Sequence, residues 1–428
     1  MQGFVLGFDV GTSGVRALAV DARGRILGSG AAKLPPTLVA GARREQHPDD
    51  WWYGLQAACR ALGRQVDLAQ ARAVALDATS GTILPVDESS TPLAAARMYD
   101  DADTGDLAQR IASLAPKESA AHGATSPAAR AVGWTDLTGL HRILHQADWL
   151  NRKLGAEDFV TDENNALKTG YDPIARGWPD WLATFGLDLA LLPKVVPVGA
   201  PIGKIDALAA TFLGIPAGIP LAAGTTDGCA TFLASGAQRV GEGATALGST
   251  IVLKVLSDRP VFSPAHGIYS HRLGDQWLVG GASNCGGRTL AEFFAPEEIS
   301  TLSARIDAAR PSGLDYYPLP AIGERFPISD ARLAPRLTPR PADDALFLQG
   351  ILEGFVAVEK LGYDRLTELG GPKLASVRHA GGGARNGPWM SLRASALGVP
   401  STAAWSEEAA AGTARLAWRA LGHELPLA

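Results

Sequence analysis

The residues best suited to chemistry stand at the start of the chain, where a carboxylate precedes a turn of small residues. Asp9 lies near the end of an apolar run that begins at Phe4, and the turn Gly11-Thr12-Ser13-Gly14 follows it. Small residues let backbone N–H groups and hydroxyls close around a phosphate, and the carboxylate can hold the Mg²⁺ that accompanies ATP. No helix start follows the glycines, so this is neither a Walker loop nor a dinucleotide fingerprint. A plain hairpin turn would use the same residues.

A second turn of this kind lies at Gly248-Ser249-Thr250, ahead of the apolar run 251–256. Further strand-like segments follow, so the architecture of the opening is predicted to occur twice. We expect the two turns to contact the phosphates of one ATP molecule from opposite sides of a cleft between two domains. Ser249 supplies the hydroxyl on the second side.

Asp227 is the candidate general base. The strand Leu221–Gly224 leads to it, and a helix is predicted from Gly228. Phosphoryl transfer to an alcohol needs a group that accepts the hydroxyl proton. The alternative is a helix N-cap, for which Asp is a preferred residue.

A glycine triplet near the end of the chain predicts the purine site. Gly382 and Gly383 follow a strand and precede a helix, which lets backbone approach a purine and its ribose. Asn386 can offer an amide to the base, and Trp389 can stack on it. The alternative is a strained strand-to-helix turn above a core tryptophan.

Ser80 and its neighbours form the predicted sugar side of the site. A buried strand ends at Asp77, and Thr79 and Ser80 follow it. These groups can hydrogen-bond a sugar, although Asp and Ser are also ordinary turn formers. The chain thus offers every part that ATP-dependent transfer to a hydroxyl requires: two phosphate turns, a metal-side acid, a base and a purine platform.

The elements that must position these residues alternate between strands and helices, which predicts an α/β fold. Strands are expected over 4–8, 15–20, 25–31 and 71–77, with 83–86 as the hairpin partner of the last, and helices from Pro48 and over 137–149. A length of 428 residues predicts two domains. We place them at 1–238 and 239–428.

Composition and charge exclude several classes of protein. The formal charge is −5, without a basic patch, which argues against nucleic-acid and membrane-surface partners. The 3 cysteines are odd in number and far apart, as expected in a reducing compartment. No uncharged apolar run reaches the roughly 18 residues of a membrane span. We expect a cytoplasmic protein, and its oligomeric state, monomer or homodimer, stays open.

These motifs resemble the FGGY carbohydrate kinases, of the actin/hexokinase-like superfamily, from Phe4 to about Leu421. The matching segments are Asp9–Gly14, Glu45–Pro48 before Trp51 and Trp52, Gln146–Leu150, Ala223–Asp227, Leu247–Ser249, Gly280–Asn284, Ala380–Gly383 and Glu408–Ala414.

The resemblance implies two ribonuclease-H-like domains around an interdomain cleft, with sugar on the N-terminal domain and ATP mostly on the C-terminal one. It implies phosphorylation of a sugar or polyol hydroxyl that depends on ATP and Mg²⁺. Asp227 matches the catalytic base and also touches the sugar, as do Asp9 and Ser80. Asp9 and Thr12 match the family's first phosphate motif, Ser249 matches the second, and Gly382, Gly383 and Asn386 match the adenosine motif. Ser13, Gly14 and Trp389 complete the expected ATP contacts on the residue patterns described above.

One segment departs from the family pattern. Many members carry Trp-x-Asp-x-Arg in a sugar-binding loop, where this chain has Tyr99 for the tryptophan and lacks the arginine. The segment Asn164–Asp172 and the small size resemble the D-ribulokinase-like branch, which implies conversion of D-ribulose to D-ribulose 5-phosphate. The alternatives are xylulose or another sugar or polyol, an actin-like ATPase without a sugar substrate, and a sugar-binding protein without turnover.

Overall fold

The computed structural model describes residues 3–427. Their contacts divide the chain into two units. The N-terminal unit comprises the chain up to Ala234 together with His271–Gly274 and the segment from Glu408 onward. The C-terminal unit comprises Ser235–Ser270 and Asp275–Glu407. The predicted domain boundary between residues 238 and 239 stays a prediction.

The N-terminal unit contains thirteen strands and nine helices among the described residues. Its strands are β1 (Phe4–Val10), β2 (Gly14–Asp21), β3 (Ile26–Lys33), β4 (Leu38–Ala40), β5 (Arg43–Gln46), β6 (Ala71–Ala78), β7 (Ile83–Val86), β8 (Ala96–Arg97), β9 (Arg142–His145), β10 (Val160–Asp162), β11 (Lys194–Val196), β12 (Pro201–Lys204) and β13 (Pro220–Thr226). Its first eight helices are α1 (Pro48–Leu62), α2 (Leu107–Leu114), α3 (Pro127–Val132), α4 (Gln146–Leu154), α5 (Glu163–Leu167), α6 (Asp180–Thr184), α7 (Ala207–Leu213) and α8 (Asp227–Ala234).

The main sheet of this unit has the strand order β12-β13-β6-β1-β2-β3. Strands β13, β6 and β1 are neighbours and run parallel, whereas β2 and β3 return antiparallel. The parallel strands are near-continuous apolar runs, as expected of strands covered on both faces. Leu6, Leu76 and Leu221 are fully buried in the core between this sheet and its helices.

Two sequence-based expectations are wrong next to this sheet. Ile83–Val86 does not pair with β6 but joins a second sheet, β4-β5-β8-β7-β9. The helix expected over 137–149 begins at Gln146, because the preceding residues pair with β7 as strand β9. Asp148 reaches back to accept a hydrogen bond from the His145 N–H (2.9 Å), which fixes that helix start.

Among the described residues, the C-terminal unit contains four helices, five whole strands and the start of β16 (Tyr269–Leu273), which continues into the segment His271–Gly274 assigned to the N-terminal unit. The others are β14 (Glu242–Leu247), β15 (Ile251–Ser257), β17 (Gln276–Ser283), β18 (Ser376–Ala380), β19 (Ser401–Ala403), α9 (Gly287–Ala291), α10 (Pro296–Ser303), α11 (Asp344–Glu368) and α12 (Gly387–Leu397). The sheet order is β16-β17-β15-β14-β18-β19. Strand β14 pairs antiparallel with β15 and parallel with β18, just as β1 pairs with β2 and β6. The predicted repeat of the opening architecture is therefore present in the strand topology.

The last helix, α13 (Ala409–Ala420), packs against the main sheet of the N-terminal unit. A Cβ on Gly7 of β1 would stand 1.9 Å from the Ala410 carbonyl oxygen, and one on Gly412 would stand 1.9 Å from that of Ala230. Glycine at both positions lets α13 approach strand and helix backbones closely. This packing carries Thr413 to the buried end of β6.

No helix within residues 3–427 has the length and apolar character needed to cross a membrane.

Candidate active site

Three aspartates lie together where the parallel strands of the N-terminal unit end. The sheet register pairs Asp9 of β1 with Asp77 of β6, and Asp77 with Thr225 of β13. Asp227 follows two residues later as the first residue of α8. The topology thus gathers residues that are more than two hundred positions apart in sequence.

Burial and mutual repulsion shape this carboxylate cluster. Burial, and then the charge of Asp227, raise the pKa of Asp9 to about 6. Burial and the charge of Asp9 raise the pKa of Asp77 well above its usual range, opposed by the Thr413 hydroxyl that donates to Asp77. Asp77 is fully buried and its Oδ1 has no hydrogen-bond partner among the described residues, so a second negative charge beside Asp9 is disfavoured at this point.

Arg16 is the nearest cation to this cluster, and the sequence analysis missed it. Its Nη1 lies 3.7 Å from Asp9 Oδ2, and its Nε lies 3.1 Å from Glu408 Oε2. The Arg16 side chain is 57% exposed. It therefore compensates the Asp9 charge only partly, and a second cation fits the site electrostatically.

Hydrogen bonds from the backbone and from a neighbouring side chain fix the first phosphate turn. The Gly11 N–H donates to the Gly14 carbonyl (3.0 Å), and Gln46 Nε2 donates to the Thr12 carbonyl (2.8 Å). Ser13 at the tip is exposed. The predicted residues Thr12, Ser13 and Gly14 therefore form a braced turn directly beside Asp9.

Asp227 stands at a helix start with one carboxylate oxygen engaged. Its Oδ1 accepts a hydrogen bond from the Gly228 N–H (2.7 Å). Its side chain lies at the surface of the unit, half-buried, next to Asp9. This bond to the adjacent N–H is not the N-cap bond of the alternative, in which the side chain accepts from the second or third helical N–H, and Oδ2 remains to accept a proton.

The loop after β6 places Ser80 beside an ordered polar network. Thr79 donates to Gln146 Oε1 from its N–H (3.2 Å) and its hydroxyl (2.6 Å), and it also contacts the Thr82 hydroxyl (2.6 Å). The Ser80 hydroxyl is buried and has no hydrogen-bond partner within residues 3–427. A buried hydroxyl without a partner can hydrogen-bond a ligand at low cost.

In the loop that departs from the family pattern, an arginine from another part of the chain holds the backbone in place. Arg130 of α3 donates to the carbonyls of Arg97 (2.8 Å), Met98 (2.6 Å) and Gly81 (2.7 Å), tying two loops together. Burial lowers the pKa of Arg130 to about 10, so the side chain stays charged at neutral pH. Sequence reasoning missed Arg130, because no local pattern distinguishes it from a surface arginine.

In the C-terminal unit, the second phosphate turn follows β14. The Gly248 N–H donates to the Thr250 carbonyl (3.2 Å), and the first N–H groups of α9 donate to the carbonyls of Gly248 (2.9 Å) and Ser249 (3.1 Å). Gly248 and Ser249 are exposed. This turn therefore offers its remaining N–H groups and the Ser249 hydroxyl to solvent.

The glycine triplet forms a tight loop above Trp389. A Cβ on Gly383 would lie 2.4 Å from the Trp389 ring, which is 1% exposed and packs against Phe355. Such a ring has no free face for a purine, so it supports the loop from below, as in the alternative interpretation. Asn386 caps α12 by accepting from the Trp389 N–H (3.0 Å) and donates to Ser303 (2.7 Å), so its amide is engaged by protein groups.

Asp9 is the residue best placed to face a metal ion. Within residues 3–427, no three His, Cys, Asp or Glu side chains are arranged to hold a metal by themselves. Mg²⁺ usually keeps several waters and takes one or two carboxylates plus phosphate oxygens. The crowded negative charge at Asp9 and Asp227 fits such a cation.

Comparisons with known proteins agree with this organisation. The model of the N-terminal domain of the FGGY family of carbohydrate kinases matches residues 4–126 and 135–234. The model of that family's C-terminal domain matches residues 243–421. An autoinducer-2 kinase from Yersinia pestis (strain Pestoides F) is 27% identical over 447 aligned positions, covering 93% of this chain and 82% of the relative.

Solved structures share the fold at lower identity. A xylulose kinase from Rhodospirillum rubrum superposes with a TM-score of 0.86 at 20% identity, over 99% of this chain and 91% of that one. A Plasmodium falciparum glycerol kinase with ADP gives a TM-score of 0.84 at 16% identity, over 98% and 89%. These likenesses confirm the predicted fold class, the two-domain actin/hexokinase-like α/β fold.

Proposed function

We propose that this chain, which belongs to the FGGY family of carbohydrate kinases, phosphorylates the terminal hydroxyl of a ketopentose, D-ribulose in the first instance. The product is D-ribulose 5-phosphate. The observation that carries the proposal is the placement of Asp227 beside Asp9, with the unpartnered Ser80 hydroxyl on the loop after the neighbouring strand.

Asp227 is the residue that takes the proton. Its Oδ1 is oriented by the Gly228 N–H, so Oδ2 accepts the proton of the attacking hydroxyl. In a loose transition state this proton leaves late, so a carboxylate suffices as the base. Positioning and charge neutralisation supply most of the remaining rate enhancement.

Asp9 and the two phosphate turns are the parts of the site that bind the phosphates of ATP. When bound, Mg²⁺ neutralises charge on the phosphate oxygens that are transferred. Asp9 would hold the metal, and the pKa of Asp77, raised by burial and by the Asp9 charge, disfavours a further negative charge at that spot. In the N-terminal unit, the hydroxyls and backbone of Thr12, Ser13 and Gly14 are the proposed ATP contacts. In the C-terminal unit, the proposed ATP contacts are Ser249, Gly382 and Gly383. Trp389 and Asn386 act by shaping the glycine loop.

The sugar side consists of Ser80 and its surroundings, with Asp9 and Asp227 at the reacting end. Tyr99 stands where many relatives have tryptophan, and its N–H is fixed to Thr82 (3.1 Å). We expect the protein to work in the cytoplasm.

The test is a screen for ADP release with purified protein, ATP and Mg²⁺. It covers D-ribulose, D-xylulose, other ketoses, polyols and glycerol. It also includes autoinducer-2, because relatives of this chain are named autoinducer-2 kinases. The proposal expects the highest kcat/KM for D-ribulose. A higher value for another acceptor would replace the substrate, and steady ATP turnover that no acceptor stimulates would indicate an actin-like ATPase.

A further inference from the structure

We infer that Gln146 and Asn165 recognise a ketone beside a hydroxyl: Gln146 Nε2 donates a hydrogen bond to the substrate carbonyl, and Asn165 Oδ1 accepts one from a substrate hydroxyl. This inference rests on the proposed function and goes beyond it, because it predicts that the site prefers ketoses to the corresponding polyols.

Gln146 offers a donor and nothing else. Its side chain is fully buried, and its Oε1 is occupied by the N–H and hydroxyl of Thr79. A backbone N–H must point at oxygen, so the orientation of the amide is fixed and Nε2 is the free end. Nε2 is buried and lacks a hydrogen-bond partner within residues 3–427. Thr79 adjoins Ser80, which places this donor at the predicted sugar site.

Asn165 offers an acceptor and nothing else. Its Nδ2 donates to Asp162 Oδ2 (2.6 Å), and its backbone N–H donates to Asp162 Oδ1 (3.1 Å). The carboxylate accepts only, so Oδ1 of Asn165 is the free end of this amide. This oxygen is also buried without a partner in the described part of the chain.

Hydrogen bonds link the segments that carry the two amides to each other and to the Ser80 loop. His145, directly before Gln146, contacts the Thr169 hydroxyl (2.9 Å) in the segment after Asn165. Lys168 Nζ lies 3.3 Å from the Ser80 carbonyl, one helical turn beyond Asn165. Both α4 and α5 contact β13, which leads to Asp227. The two free ends therefore belong to the surroundings of Ser80 and the base.

Because Gln146 can only donate and Asn165 can only accept, the two amides discriminate between functional groups of the substrate. A ketone oxygen can only accept, whereas a hydroxyl satisfies the acceptor of Asn165. The 5-hydroxyl of a ketopentose is free only in the open-chain form, because ring closure uses it to attack the keto carbon. A kinase for that hydroxyl thus meets an exposed ketone, for which a buried, unpaired N–H donor is the matching group.

The test compares D-ribulose with ribitol, in which the ketone is reduced, in the wild type and in Gln146→Glu. The variant keeps the oxygen that binds Thr79 and replaces the NH₂ group. We expect kcat/KM for D-ribulose to fall about 10- to 100-fold while the value for ribitol changes about threefold or less. The KM for ATP should stay unchanged.

Asn151→Asp is the matched control. It makes the same chemical change on the same helix, at a residue that is 4% exposed, and should leave the ketose-to-polyol ratio unchanged. A Gln146→Glu enzyme with the wild-type ratio would overturn the inference. If Gln146→Glu does not fold, Gln146→Met is measured in its place, and a wild type that uses ribitol as well as D-ribulose overturns the inference without any variant.

The failure of the proposed substrate has a different signature. A wild type that prefers D-xylulose to D-ribulose refutes the substrate but not the inference, which is then tested on D-xylulose and xylitol. A wild type that uses only polyols refutes both.

Discussion

The two units share a strand order but differ in the residues at the strand ends. In the N-terminal unit, the register of β1 and β6 pairs Asp9 with Asp77. In the C-terminal unit, the corresponding strands β14 and β18 pair Ala246 with Ala380. The same backbone arrangement therefore presents carboxylates in one unit and methyl groups in the other.

The loops beyond these strands differ in the same way. After β6 the N-terminal unit has Thr79 and Ser80, whereas after the corresponding strand β18 the C-terminal unit has three glycines, of which Gly381 has a φ of +89°. Carboxylates suit a metal and a proton, and glycines suit backbone that approaches a nucleotide. We therefore propose that one repeated topology serves two tasks, which differ with the residues at the strand ends.

The largest expected effect concerns the proton acceptor of the N-terminal unit. Asp227→Asn removes the acceptor, so kcat should fall by about 10²- to 10⁴-fold, the usual worth of general base catalysis. ATP affinity, measured by calorimetry, should stay near the wild-type value. Asp206→Asn is the control, since Asp206 also accepts from a helix N-terminus (Ala209 N–H, 2.7 Å). Equal kcat in both variants would remove Asp227 from the chemistry.

The next effect concerns the glycine loop of the C-terminal unit. Gly383→Ala would place a methyl group 2.4 Å from the Trp389 ring and 2.9 Å from Leu247 Cβ. Overpacking of this kind costs about 1–3 kcal/mol of the free energy of unfolding, and the displaced loop should raise the KM for ATP but not that for sugar. Gly387→Ala, with open space around it, is the control for urea denaturation and kinetics. A Gly383 variant that matches the control would contradict the role of this loop.

The carboxylates of the N-terminal unit should make it less stable at neutral pH. The pKa of Asp9 is raised to about 6 in the folded protein, so folding favours its protonated form and stability falls as the pH rises from about 4 to 6. Without Mg²⁺ and ATP, the free energy of unfolding of Asp9→Asn at pH 7 should therefore exceed that of the wild type by about 3 kcal/mol, because the pKa of Asp9 rises from 3.8 to about 6 on folding. This advantage should vanish near pH 4. An advantage that is independent of pH would show that the Asp9 charge is not its source.

The smallest expected effect concerns a carboxylate that is introduced into the C-terminal unit. Ala246→Asp places a charge at the position that corresponds to Asp9, where it should repel phosphate and raise the KM for ATP about 3- to 10-fold. Ala246→Asn is the control, because it introduces a side chain of similar size that carries no charge. If both variants have the same KM for ATP, charge at this strand end does not matter.

Local patterns in the sequence predicted the elements that position the site. The strands predicted over 4–8, 71–77 and 221–224 are present as β1, β6 and β13, and the helix predicted from Gly228 begins one residue earlier, at Asp227. These features depend on neighbouring residues, so the sequence reveals them directly. The predicted carboxylate side of the site therefore lies at one edge of one sheet, and its catalytic assignment stays a prediction.

Long-range contacts account for what the sequence did not reveal. Thr413 reaches Asp77 across 336 positions, and no local signal marks that hydroxyl. The pairing of Ile83–Val86 with β9 depends on a strand that lies far along the chain. The indole ring of Trp389 is of a kind that can stack on a purine, but packing against Phe355 and the close approach of Gly383 bury it.

The most direct test of the central claim is an NMR analysis of the phosphorus-containing products formed from ATP, Mg²⁺ and D-ribulose. We predict ADP and, in equal amount, a phosphate monoester on the terminal carbon of the ketopentose, formed by the wild type and Asp206→Asn but not by Asp227→Asn. Inorganic phosphate in place of a sugar phosphate, or the same ester from Asp227→Asn at the wild-type rate, would contradict the account.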